Sequence, residues 1–378
     1  MTNILSPISI IEFSSTSISL AIYDEKSISS NLFYTEKINF KRNEESSRDK
    51  IISKLVKNGE NELGKHLNEI ILLIDSSNIN SLDFSIQKNF DKNLITNQDI
   101  NYLINECENE VKINNKEQEI LHIITHSLLC DDKPIDDLDN ISLEGSKVIV
   151  ELKFILISKN ICDQLKNLFL KKHIKLKSIL CTSYIRSLGL ISKLDISGYN
   201  SFIDIGLKKS CLTIFENNKL LFINNTHISG DHITKDISKL LKIDYRIAES
   251  KKIKFYKNNL LGNDLSENEL LKKIINSRLE EIIEILFLNC PLVANNFKNS
   301  KLRLFFTGNG SKVLNENLLS FGPEFSFINE MSILKDTKRD VFDSAYKFDI
   351  NSKNQKLQKQ FINLENKGFF EKLFEYFN

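Results

Sequence analysis

Apolar positions gather in short runs from the start of the chain. Residues 8–13, 18–23 and 27–34 read as three short antiparallel strands of a meander. A helical pattern follows from about Arg48 to His66, and 69–74 (EIILLI) is the continuous apolar run of a strand buried on both faces. From about 82 to 158 the chain carries its own αβ pattern. Thr96, with Asp99 three residues on, caps a helix running to about Val111, and 120–125 and 147–158 read as strands. An amphipathic helix over 160–172 and a strand over 174–180 come next. Beyond residue 200 the expected elements are a hairpin pair with Asn217-Asn218 in a tight turn, both at positive φ, and short helices over 233–241 and 246–254. A long helix opens at the Ser266/Glu269 capping box and ends at Pro291. A strand over 302–306 and a helix after Ser311 follow.

Two of these segments are copies of one pattern. Residues 10–24 (IIEFSSTSISLAIYD) and 202–216 (FIDIGLKKSCLTIFE) align without a gap, Glu12 on Asp204, Ser14 on Gly206, Leu20 on Leu212 and Tyr23 on Phe215. Each is an apolar strand ending in a carboxylate, a small polar turn and a returning strand. One such hairpin per half predicts a duplicated α/β fold of two lobes with a cleft between them. Two backbone-lined tips facing across a cleft suit a phosphate chain.

Composition narrows the field. The chain has 378 residues, 41% hydrophobic and 27% charged, enough for two or more cored domains, and its net charge of +1 argues against a nucleic-acid-binding surface. The six Cys are scattered with no CxxC spacing and read as buried, reduced thiols of a cytosolic protein. His122 and His126 lack a zinc motif and read as structural, and the acidic loop over 131–139 reads as solvated. The N-terminus has no basic region of a signal peptide, and no apolar run approaches the roughly 20 residues a membrane span needs.

The stretch from 201 onward resembles a known family. Asp204-Ile205-Gly206 looks like the second phosphate loop of the superfamily of actin, heat-shock chaperones and sugar kinases. The run Ile228-Ser229-Gly230-Asp231-His232-Ile233-Thr234-Lys235-Asp236-Ile237 is similar to the GGDHxTxDI run of the bacterial cell-division family FtsA. Ala248-Glu249 with Lys252 and Lys254 resembles that family's helix beside the adenine, and Thr307-Gly308-Asn309-Gly310-Ser311 resembles its adenosine loop. The resemblance implies a duplicated actin-like (ribonuclease H-like) two-lobe α/β fold with a small α+β subdomain inserted. It divides the chain into a first lobe at 1–82 and 159–200, an insertion at 83–158, a second lobe at 201–350, a polar linker at 351–367 and a tail at 368–378. It implies ATP or ADP with Mg²⁺ in the cleft. The nucleotide would lie against Glu12, Ser14, Ser15, Thr16, Asp204, Gly206, Leu207, Lys208, Lys209, Gly230, Asp231, Glu249, Lys252, Thr307, Gly308, Asn309, Gly310 and Ser311, and the metal would be held through water by Asp204 and Glu12.

The loops depart from the family pattern. Where it has DIGTSK, this chain has Glu12-Phe13-Ser14-Ser15-Thr16-Ser17, and where it has DIGGGTTD, two glycines become Leu207 and Lys208 and the second Asp becomes Cys211. If those positions keep positive φ, each Cβ costs on the order of 1 kcal/mol. Lys208 or Lys209 either turns its charge toward a phosphate or points into solvent. The departures imply weakened or altered ATP binding and very slow or absent hydrolysis.

The last eleven residues form a separate signal. Phe369, Phe370, Leu373, Phe374 and Phe377 fall on one face at helical spacing, with Glu371, Lys372 and Glu375 elsewhere. Placed after a polar linker, such a stripe reads as an interfacial membrane anchor. So short a helix folds only on binding, and its two Glu weaken attraction to anionic lipid. The resemblance implies a protein that tethers the C-terminal tail of FtsZ, the ring-forming division protein, to the cytoplasmic face of the inner membrane at the division site. Self-association into filaments and contacts with other divisome proteins are implied with it. The alternatives are a PilM-like pilus-assembly protein of the same superfamily, or a superfamily phosphotransferase or chaperone, which would need the glycine-rich second loop that 207–211 lacks.

Overall fold

The computed structural model of the protein describes residues 7–24, 32–40, 48–91, 94–135, 142–194, 196–258, 265–288, 290, 302–314, 325–334 and 338–354. The chain opens with strands β1 (Pro7–Phe13), β2 (Ser17–Asp24) and β3 (Leu32–Asn39), then helix α1 (Arg48–Leu63) and β4 (Glu69–Ile74). The third strand extends to Asn39, beyond the expected end at 34, because it pairs along β2 from Ser17 to Tyr23, with Asn39 opposite Ser17 and Tyr34 opposite Ile22; 27–31 lie outside the described residues. Next come β5 (Asn80–Asn89), β6 (Leu94–Thr96), α2 (Asn97–Asn114), β7 (Gln118–Cys130), β8 (Lys133–Pro134), β9 (Ser142–Glu144) and β10 (Lys147–Ser158). The Thr96 amide donates to Asp99 Oδ2 at 2.9 Å, the reciprocal half of the cap expected at this helix start. The sheet β5-β10-β7-β8 and α2 enclose a core of their own, built around Ile104, Val150 and Phe154.

The chain then returns through α3 (Lys159–Leu170), β11 (Lys175–Cys181) and α4 (Thr182–Leu194). A second unit follows: β12 (Tyr199–Ile205), β13 (Ser210–Glu216), β14 (Lys219–Thr226), α5 (Gly230–Leu240), α6 (Tyr245–Asn258), α7 (Leu265–Phe287), β15 (Leu302–Thr307), a single 3-10 turn (Gly310–Val313) and β16 (Ile328–Ile333). Where a helix was expected after Ser311, the described residues hold only that 3-10 turn; 315–324 lie outside them. Asn217 and Asn218 have φ of 45° and 71°, the turn their sequence predicts.

The duplication is visible in topology. The first large sheet runs β3-β2-β1-β4-β11 and the second β14-β13-β12-β15-β16. Glu12 sits opposite Ser19 in one hairpin and Asp204 opposite Cys211 in the other, the same register. In each sheet the central strand also pairs in parallel with the strand after a crossover, β1 with β4 and β12 with β15. Central strands covered on both faces account for near-continuous apolar runs. In β12, Phe202 packs into the first lobe's core while Ile203 and Ile205 pack into the second's.

The last helix is α8 (Lys338–Asn354). It packs into the first lobe's core through Val341, Phe342, Ala345 and Tyr346. Tyr346 stacks on Tyr23 at 4.6 Å, the Tyr23 hydroxyl donates to Asp343 Oδ1 at 2.7 Å, and the Tyr346 hydroxyl donates to the Asp24 carbonyl at 3.0 Å. These contacts outweigh chain proximity to the second lobe.

Candidate functional site between the hairpin tips

The two tips meet at helix α4. Arg186, on its second turn, sends one guanidinium nitrogen to Glu12 Oε1 at 3.2 Å and the other to Asp204 Oδ2. The carboxylates that end the two equivalent strands are thus joined by one fork. A second ion pair runs beside it: Lys209, in the second tip, lies 2.9 Å from Asp75 Oδ1, immediately after β4. Asp75 also accepts from the amide of Ser183 at 3.2 Å and its hydroxyl at 3.0 Å. Burial pushes the Glu12 carboxyl above its usual range, against the pull of Arg186. Burial works against the Lys209 ammonium, yet the carboxylate of Asp75 leads the influences that leave its pKa above the ordinary lysine value.

The tips themselves are small and internally bonded. In the first, Ser14 donates its amide to the Ser17 carbonyl at 2.9 Å, and its hydroxyl oxygen receives the Ser17 amide at 3.1 Å. Ser14, Ser15 and Thr16 remain partly exposed. In the second, the Gly206 amide donates to the Lys209 carbonyl at 2.9 Å. Leu207 is partly exposed, Lys208 is exposed and Lys209 is buried, so the two lysines divide between solvent and cleft. Neither Leu207 nor Lys208 has positive φ, which removes the strain that the lost glycines suggested. At these two positions the turn is one that any L-residue can adopt.

Helix α5 docks on the second tip. The amides of Gly230 and Asp231 donate to the carbonyls of Gly206 and Leu207, both at 3.0 Å, and the Ser229 hydroxyl donates to the Leu207 carbonyl at 2.6 Å. Two of the amides a helix start leaves over are therefore used by the protein itself. Asp231 is buried, held by the Tyr245 hydroxyl at 2.7 Å and Lys235 at 2.9 Å. On α6, Lys252 points inward to the Gly230 carbonyl at 3.0 Å and Thr234 Oγ1 at 2.7 Å, and it pairs with Glu249 at 2.7 Å. Lys252 is a buried strut for the α5 start, while Glu249 is half-buried and also accepts from the Thr234 hydroxyl.

The loop after β15 completes this wall. Thr307 pairs in register with Asp204. Gly308 has φ of +82°, and a Cβ there would lie 2.7 Å from the Ile205 carbonyl; at Gly310 the corresponding distance is 2.6 Å. Only glycine lets this loop lie against the end of β12. Ser311 is buried and donates to the Gly308 carbonyl at 2.7 Å, while Asn309 is exposed.

The structure joins the second tip, the start of α5, Glu249, Lys252 and the Thr307–Ser311 loop in one contact network, and Arg186 links Asp204 of that network to Glu12 of the first hairpin. Sequence reasoning missed Arg186 and Asp75. Asp75 follows an apolar strand as Glu12 and Asp204 end theirs, a signal that was present. Arg186 is the single charge in the run Thr182–Ser192, TSYIRSLGLIS being otherwise uncharged. The five tail residues Phe369, Phe370, Leu373, Phe374 and Phe377 lie outside the described residues.

Small tips whose backbone turns back on itself fit the phosphates of a nucleotide. They do not fit Mg²⁺ at Glu12 and Asp204, because the guanidinium of Arg186 stands on both carboxylates, and among the described residues no three His, Cys, Asp or Glu side chains gather as a metal cage. His122, read as structural, is fully buried and accepts the Cys181 amide on Nε2 at 2.9 Å; burial lowers its pKa to about 3. The six cysteines are free and buried.

Among solved structures, the chain is similar to the PilM-PilN type IV pilus biogenesis complex, with a TM-score of 0.61, 12% identity and 89% of each chain covered. It is also similar to MreB 5 of Spiroplasma citri bound to AMPPNP, with a TM-score of 0.52, 11% identity, and 93% of this chain and 98% of that one covered. These likenesses define the class, an actin-like ATPase fold of two related α/β lobes. Within that class, part of the sequence is similar to one family. Residues 201–286, from β12 to the end of α7, match the family Cell division protein FtsA. The Cell division protein FtsA of Helicobacter pylori (strain ATCC 700392 / 26695) is 23% identical over 163 residues, 43% of this chain and 32% of that protein. The match thus takes in less than half of either sequence.

Proposed function

We propose that this chain is an FtsA-like assembly protein, a nucleotide-binding polymer subunit that tethers FtsZ filaments to the cytoplasmic membrane during septal-ring assembly. The observation that carries the reading is the family match over 201–286, since that segment supplies the second hairpin tip and helices α5 and α6. In this reading the tips Ser14–Ser15–Thr16 and Gly206–Leu207–Lys208–Lys209 face the phosphates. Glu249 and the Thr307–Ser311 loop border the nucleoside, and Lys252, with Gly230 and Asp231, fixes the start of α5 behind it. No residue is assigned to hydrolysis, and the cleft serves assembly.

The tail at 368–378 is the proposed membrane contact, through Phe369, Phe370, Leu373, Phe374 and Phe377. No helix among the described residues is long and apolar enough to cross a membrane. The likeness to PilM is one of fold alone. Pull-down of the full chain with an immobilised FtsZ C-terminal peptide tests the reading: capture above a scrambled peptide is expected. Absence of capture, with retention on a PilN peptide, would favour the pilus-assembly alternative.

A further inference from the structure

Three acidic strand ends converge on this cleft, and each already carries a cation of the chain. Glu12 and Asp204, equivalent by duplication, share Arg186; Asp75, at the end of the neighbouring strand, holds Lys209. The side chains of all five residues are less than a fifth exposed. A divalent cation at Glu12 and Asp204 would need oxygen or water ligands at about 2.0–2.1 Å in near-octahedral geometry. It would meet a guanidinium that is planar, permanently charged and bonded to both carboxylates. Displacing Arg186 would take its charge from both carboxylates within a poorly solvated site.

We propose that Arg186 takes the place of a divalent cation between the two lobes, so that the cleft excludes Mg²⁺ and accepts a metal-free nucleoside phosphate. This rests on the nucleotide reading of the cleft. A metal bridging two lobes couples their closure to the arrival of metal and nucleotide together. A side chain on α4, covalently part of the fold, supplies the same bridge permanently. Nucleotide affinity is then set by the tip backbones, and magnesium has no role in it.

Two measurements on the full chain test this. Equilibrium dialysis with Mn²⁺, a stand-in for Mg²⁺, is run without nucleotide on the wild type and on Arg186→Met. The wild type should retain no Mn²⁺, and the variant should gain a site that Asp204→Asn removes. Mn²⁺ held by the wild type and lost on Asp204→Asn, or a folded Arg186→Met variant that gains no site, would overturn the proposal. Separately, wild-type affinity for a fluorescent ADP analogue is compared in millimolar Mg²⁺ and in EDTA. Equal affinities support the proposal, and a strengthening by Mg²⁺ of about tenfold or more, 1.4 kcal/mol, overturns it. No analogue binding in either buffer would sink the nucleotide reading, while the Mn²⁺ result on the wild type would still decide whether the cluster excludes metal.

Discussion

Lys209 Nζ lies 2.9 Å from Asp75 Oδ1, an ion pair that ties the second lobe's hairpin tip to the first lobe's sheet. Removing the cation leaves Asp75 with only the Ser183 amide and hydroxyl among these partners. Breaking a fully buried pair costs about 3–5 kcal/mol; with Asp75 18% exposed, Lys209→Met should cost about 2–3 kcal/mol. Adding Asp75→Leu should recover most of that loss. Urea denaturation of the two single variants and the double checks the cycle, which should show coupling well above 0.5 kcal/mol.

The contact between α4 and α8 depends on a missing side chain. A Cβ at Gly189 would lie 2.7 Å from Ser344 Cβ. Gly189→Ala gains about 1 kcal/mol in helix propensity, while overpacking costs about 1–3 kcal/mol. The alanine should therefore be neutral to destabilising in the wild type. In a Ser344→Gly background the clash is gone and the same substitution should turn stabilising. A sign reversal in urea midpoints is the readout.

His122 makes stability depend on acid. Its folded pKa is about 3 against an ordinary value of 6.5, so the unfolded chain takes up a proton that the folded chain refuses. The contribution is intact above pH 6.5 and declines as pH falls from there toward 3. Each unit is worth about 1.4 kcal/mol, so roughly 2 kcal/mol is lost between pH 7 and pH 5. His122→Gln keeps an acceptor for the Cys181 amide and should lower stability at pH 7 while flattening this part of the profile. Denaturation at pH 5, 6 and 7 compares the slopes.

The tail yields a separate prediction. Each deeply buried large apolar side chain contributes at most ~1.5–3 kcal/mol, and interfacial burial is partial. A chain ending at residue 367 should lose sedimentation with liposomes and keep its circular dichroism and melting curve. Binding of the full chain should rise with its concentration as several tails engage together. Unchanged sedimentation of the truncated chain would count against the anchor.

Much of the fold was legible because the duplication left its trace in strand pattern: Glu12 and Asp204 align in the sequence and share a register in the sheets. Asn217-Asn218 and Thr96/Asp99 are local signals with local consequences, and they formed as expected. The extent of β3 was set by pairing along β2, and the allegiance of α8 by stacking on Tyr23, more than 300 residues away in sequence. Neither can be seen in a local window. At the site, the tips could be placed but their occupants could not. Which lysine turns inward depends on where Asp75 lies, and Arg186 acts only because α4 crosses between two sheet ends. Leu207 and Lys208 looked strained because the glycines they replace in the family pattern imply positive φ. The chain avoids that strain by closing the tip as an ordinary turn.

The most direct test mixes purified full chain, FtsZ polymers and liposomes, and measures FtsZ in the liposome pellet. If the chain is an FtsA-like tether, FtsZ should pellet with liposomes only when the chain is present, and the chain lacking 368–378 should leave FtsZ in the supernatant. FtsZ remaining in the supernatant while the full chain itself pellets would contradict the account.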